Sequence, residues 1–164
     1  MHMTLNNFRT IEEQRRWGEY AILLLNEREI TSEAIDQFGT YWIEAGHHMR
    51  EQIADDRTLV RLLRHLLPPY KGIKMELFRG ENRCKWQNKV VGLAWTASAD
   101  TARIFGRGLN AIDTGGVLLK AFFEPEAIIS GPNSHSNYLG ENQFTIDPFA
   151  GAVITAIEFF PAIT

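Results

Sequence analysis

The chain has 164 residues, 45% of them hydrophobic and 23% charged, a length that suits one domain and a composition that excludes a disordered tail, a collagen-like rod and a low-complexity linker. Seventeen Lys and Arg against 20 Asp and Glu leave a net charge of −3, the opposite sign from a protein built to coat a phosphate backbone. The single cysteine, Cys84, excludes an intrachain disulfide and a cysteine-rich zinc site. The opening residues hold no apolar signal-peptide core, and no apolar run approaches the roughly 20 residues that span a bilayer. The expectation is a soluble, cytoplasmic chain with no membrane partner. His2 and Met3 read as an addition at the start and are set aside.

Residues 1–70 predict helices. Thr10-Ile11-Glu12-Glu13 reads as a capping box, with the hydroxyl accepting a backbone N–H three residues on and Glu13 reaching back. Trp17, Ala21, Leu24 and Leu25 follow at helical spacing. Thr31 or Ser32 caps a second helix with Ile35, Phe38, Trp42, Ala45 and Met49 on one side. A third segment, 58–67, sets Leu59, Leu62, Leu63 and Leu66 on one face and ends at Pro68-Pro69, which cannot continue a helix.

After Pro69 the period shortens to two. Residues 74–79, 91–96, 115–123, 127–129, 143–146 and 152–160 read as strands. A short helix over 99–105, capped by Ser98, interrupts them. Basic residues Arg83, Lys85 and Lys89 are assigned to a loop, solvated or near a phosphate. No run of alternating strands and crossover helices is visible, so the expected class is α+β. The sequence predicts a single domain, 1–164, in which a helical lobe over 1–70 packs on a compact, mainly antiparallel β core over 71–164.

Several common signatures are missing. No Gly-x-Gly-x-x-Gly follows a strand, and there is neither a phosphate-binding P-loop nor a Gly-x-Ser-x-Gly elbow. His47 and His48 are adjacent and point about 100° apart on a helix, which does not suit a shared metal. His65 lies on an Arg-rich helix face and reads as solvated, while His135 falls in the polar segment Ser130-Gly131-Pro132-Asn133-Ser134-His135.

Three pieces of the second half occur in a telling order. Leu77-Phe78-Arg79-Gly80 ends a strand. Gly92-Leu93-Ala94-Trp95-Thr96-Ala97-Ser98 runs straight into the helix that carries Ala102 and Phe105. Leu139-Gly140-Glu141-Asn142-Gln143-Phe144-Thr145-Ile146-Asp147-Pro148 lies near the C-terminus. Together, over residues 74–160, they resemble the mono-ADP-ribosyltransferases of the arginine–serine–glutamate class, in particular short bacterial and phage members. The resemblance implies an ADP-ribosyltransferase-like β-sandwich and an enzyme. That enzyme would move ADP-ribose from NAD, its co-substrate, onto a side chain of a target macromolecule, a protein rather than nucleic acid. It would act as an effector or toxin and need no metal.

The resemblance also assigns roles. Arg79 matches the arginine that forks onto phosphate or ribose oxygens, and Gly80 the position where backbone approaches the nicotinamide amide. Thr96 matches the hydroxyl-bearing strand, and Phe105 the aromatic that stacks on nicotinamide. Glu141 and Gln143 occupy the two catalytic carboxylate positions, and Tyr138 falls in the acceptor-recognising loop. Two departures stand out. Ala94 replaces a hydroxyl found in many relatives. Gln143 puts a neutral amide where a carboxylate would stabilise oxocarbenium character, a loss on the order of 10²–10³ in rate.

Three explanations of Gln143 stand side by side: a deliberate Glu→Gln substitution, a native Gln with Glu141 as the only carboxylate, or a catalytically silent relative. Taken singly, each residue also has an ordinary role. Arg79 fits a surface arginine, Phe105 a core aromatic, Thr96 and Ser98 a strand residue and a helix cap, and Glu141 with Gln143 a solvated strand face. The rival expectation is therefore a silent NAD- or protein-binding module acting as an inhibitor or adaptor.

Overall fold

A computed structural model describes residues 3–133 and 142–164. Their contacts divide them into two compact units, residues 3–69 with Asn133, and residues 70–132 with 142–164. The class is α+β, with six α-helices and six strands among the described residues. Among the described residues no helix is long and apolar enough to cross a membrane.

The first unit contains α1 (Leu5–Glu13), α2 (Trp17–Asn26), α3 (Ser32–Ile53) and α4 (Asp56–Leu66). The expected capping box at Thr10 is not there, because α1 begins earlier. Thr4 stands at its N-cap, where Asn7 Oδ1 accepts from the Thr4 N–H at 2.8 Å and from its hydroxyl at 3.0 Å. Thr10 lies inside the helix, and its hydroxyl donates to the Asn6 carbonyl one turn back at 2.9 Å, the usual outlet for a mid-helix threonine. Met3, set aside above, is buried.

Thr31 caps α3 as expected, accepting from the Ala34 N–H at 3.1 Å. The helix kinks at Ala45 (φ −139°), beside Gly46, where a Cβ would run into the Trp42 ring. Glycine at such a break is a familiar cause of kinking. The four leucines of α4 predicted on one face are all buried. Phe8, Trp17, Phe38 and Tyr41 form an aromatic core with ring centroids 5.5–6.4 Å apart, the offset and edge-on spacings that aromatic quadrupoles favour. Trp17 Nε1 donates to Tyr41 Oη at 3.0 Å, and that hydroxyl donates to Glu12 Oε1 at 2.6 Å. Burial and the Glu12 carboxylate push the Tyr41 hydroxyl above the usual phenol range.

The second unit is built on β1 (Met75–Asn82), β2 (Ala94–Thr96), β3 (Gly116–Phe123), β4 (Ile128–Ser130), β5 (Gln143–Ile146) and β6 (Thr155–Phe160). Every pairing between these six strands is antiparallel, in the spatial order β4-β5-β2-β1-β3-β6. Among the described residues the strands form one open sheet rather than the two facing sheets of a sandwich. Strand β2 is shorter than expected. The basic segment is mostly a short helix, α5 (Arg83–Gln87), because the Asn82 side chain accepts from the Lys85 N–H at 3.2 Å and caps it.

Leu77, Trp95, Val117, Leu119, Phe123 and Phe144 form one buried cluster. Helix α6 (Ala99–Arg107) lies against β1, held at its start by the Ser98 hydroxyl, which accepts from the Thr101 N–H at 3.1 Å. Its approach is close because Gly80, Gly106 and Gly116 meet there. A Cβ on Gly80 would overlap the Ala102 carbonyl and the Gly106 amide, and one on Gly116 would overlap the Gly106 carbonyl.

Candidate functional site

The three motif strands are neighbours in the sheet. Phe78 on β1 pairs with Thr96 on β2, and Thr96 pairs with Gln143 on β5. Cross-strand partners share a face, so Phe78, Thr96 and Gln143 stand in a row. Thr96 is buried and Gln143 half-buried. Thr96 Oγ1 accepts from the Ser98 N–H at 3.2 Å, which ties β2 to the start of α6.

Arg79 is one residue beyond that row, so its side chain leaves β1 from the other face. The β1–β2 ladder has a single registered pair, Phe78 with Thr96. Beside it the Arg79 side chain does what a backbone donor would do, and Nη1 donates to the Ala94 carbonyl at 2.7 Å. Nε donates to Glu81 Oε2 at 2.7 Å. Glu81 also accepts from the Gly92 N–H through Oε2 and from the Asn82 N–H through Oε1, both at 2.9 Å. The Arg79 side chain is 20% exposed and that of Glu81 1%. Burial alone would push the Glu81 carboxyl up. The charge of Arg79, the Gly92 N–H, the Arg79 hydrogen bond and the Asn82 N–H together outweigh it and hold the carboxyl below its ordinary range.

Gly80 is buried, and the space its missing side chain leaves is taken by the α6 backbone. Its carbonyl accepts from Asn110 Nδ2 at 2.7 Å. Phe105 is half-buried on α6, one position before Gly106 and so about 100° around the helix from the face that meets Gly80. Glu141, Tyr138 and His135 lie outside the described residues. The structure thus brings the strands of Arg79, Thr96 and Gln143 together, while the side chain of Arg79 starts from the face opposite the other two.

Glu81 was missed by sequence reasoning. The available signal was its spacing, two residues from Arg79 on a strand and therefore on the same face. Trp95 is also part of this region, with Nε1 donating to the Gly92 carbonyl at 3.0 Å. Arg83 sits over the Phe159 ring, 4.9 Å from its centroid, a cation–π contact. His47 and His48 do not splay apart, since their rings lie 3.9 Å centroid to centroid. Exposed His65 has Nε2 3.1 Å from the Glu27 carbonyl. Among the described residues no group of three or more His, Cys, Asp or Glu is placed to hold a metal.

Comparison with protein-family models, with curated proteins and with solved structures returns no match for this chain.

Proposed function

We propose that this chain is an NAD-dependent mono-ADP-ribosyltransferase that modifies a side chain of a target protein, as a bacterial or phage effector. The observation carrying this reading is the adjacency of β1, β2 and β5, strands that hold Arg79, Thr96 and Gln143 of the three motifs. In this reaction the bond between ribose C1′ and the nicotinamide nitrogen breaks, and its electron pair leaves with nicotinamide. An acceptor side chain supplies the pair that forms the new bond at C1′ and gives up its proton. Arg79 would meet the phosphates and Phe105 would stack on nicotinamide. The Gln143 amide would hydrogen-bond a ribose hydroxyl without offering negative charge, and Glu141 and Tyr138 would serve the acceptor side.

Specific observations favour a second reading, a silent module of the same fold. Arg79 already spends Nε and Nη1 inside the chain, Gly80 is covered by α6, and position 143 is neutral. Nicotinamide release from NAD by the chain and by Gln143→Glu decides between them. The transferase reading expects the Glu form to be faster by a factor on the order of 10²–10³. No release by either, with no NAD binding by calorimetry, would leave the module.

A further inference from the structure

We infer that Glu81 is a positioning residue that aims the Arg79 guanidinium at the dinucleotide phosphates, an inference that rests on the transferase reading. An arginine on a flexible stem loses substantial rotamer freedom when it is fixed for a bidentate contact. Glu81 removes that freedom before any ligand arrives. Its carboxylate is itself held by two backbone N–H groups, those of Gly92 and Asn82, so it is a fixed point rather than a partner that follows the arginine. With Nε on Glu81 and Nη1 on the Ala94 carbonyl, two bonds in different directions set the guanidinium plane. Gly92 leaves the room this placement needs, since a Cβ there would overlap Nη2 and Cζ of Arg79. Within the pair the exposed member is the arginine, and the carboxylate sits behind it, almost wholly buried.

The pair has two opposed effects on an anion. Glu81 orients the cation, but it also cancels much of its charge. Orientation predicts that removing the carboxylate weakens phosphate binding; charge cancellation predicts that it tightens binding. We place orientation first because the guanidinium is part-buried and its hydrogen bonds, rather than a diffuse field, must meet the phosphate oxygens.

The test is calorimetry of NAD and of nicotinamide riboside, which lacks the phosphates, on the full chain and on Glu81→Gln and Gly92→Ala. The second variant keeps both charges. The atoms its added methyl meets first are Nη2, Cζ and Nε of Arg79, so the guanidinium is displaced, and a urea melt of each variant checks that the fold is kept. Both variants are expected to weaken NAD on the order of tenfold and to leave nicotinamide riboside unchanged. In nitrogen-15 NMR the parent should show a protected Arg79 Nε–H resonance that both variants lose. NAD bound by the parent and equally well or better by both variants would overturn the positioning role and leave the transferase reading intact. Equal loss of both ligands would mark Glu81 as purely structural. A parent chain that does not bind NAD would sink the transferase reading and this role with it.

Discussion

Removing one member of a buried ion pair leaves the other without a partner, which typically costs about 3–5 kcal/mol. Arg79→Ala is therefore expected to lower the unfolding free energy in urea by about that much, since it strands the buried Glu81 carboxylate. The pH dependence follows from the direction of the Glu81 shift. Its carboxyl is lower in the folded chain than in the unfolded one, so its stabilisation is fully present at pH 7 and is lost as pH falls below about 4. The stability difference between the parent and Glu81→Gln should accordingly shrink on acidification, measured as urea midpoints from pH 7 to pH 3. Tyr41 has the opposite window. Its hydroxyl is raised in the folded chain, so its contribution holds below about pH 10 and is lost as pH rises beyond it. Absorbance titration should show one tyrosine that ionises only with unfolding. Tyr41→Phe should remove that component and cost about 1–3 kcal/mol by leaving Trp17 Nε1 and Glu12 without their shared partner.

At the scale of elements, α6 is where local and packing rules meet. Ser98→Ala removes an acceptor from its first turn and is expected to cost about 1 kcal/mol by thermal or urea unfolding. Gly80→Ala should cost more, toward the top of the roughly 1–3 kcal/mol range for overpacking, because the atoms it meets are α6 backbone and cannot rotate away. The leucine stripe of α4 and strand β5 over Gln143–Ile146 were legible in the sequence, since each is a periodic run bounded by proline, glycine or asparagine. The start of α1 was not. Thr10 looks like a cap by spacing alone, but Phe8 two residues earlier is buried with Trp17 and Phe38, and that packing carries the helix past it. Helix α5 was missed for a similar reason. Its Arg-Cys-Lys-Trp-Gln stretch has no apolar period, and the side chain of Asn82 starts it.

On the scale of the molecule, each unit has its own apolar core, one around Trp17 and Trp42 and one around Trp95 with Trp86 beside it. Tyr41→Phe is expected to move the unfolding transition followed by the first pair of tryptophans, and Gly80→Ala that followed by the second. Fluorescence of variants with the other pair replaced by Phe reads each. Coincident shifts would mean that the two units unfold as one.

By itself, the sequence determined the α+β class, the helical stripes, most strand positions, and the order of the arginine, Trp-Thr and Glu-x-Gln motifs. All of these depend on residues within a few positions of one another. Only the tertiary structure decided that β2 lies between β1 and β5, because strand order depends on contacts between distant segments that no local period encodes. It also decided that α6 covers Gly80 and that Arg79 is clasped by Glu81, Gly92 and Ala94. An arginine at a strand end looks the same in sequence whether it faces water or a buried carboxylate. The difference arises from which backbone N–H groups the fold brings to that carboxylate, since they offset the cost of burying its charge.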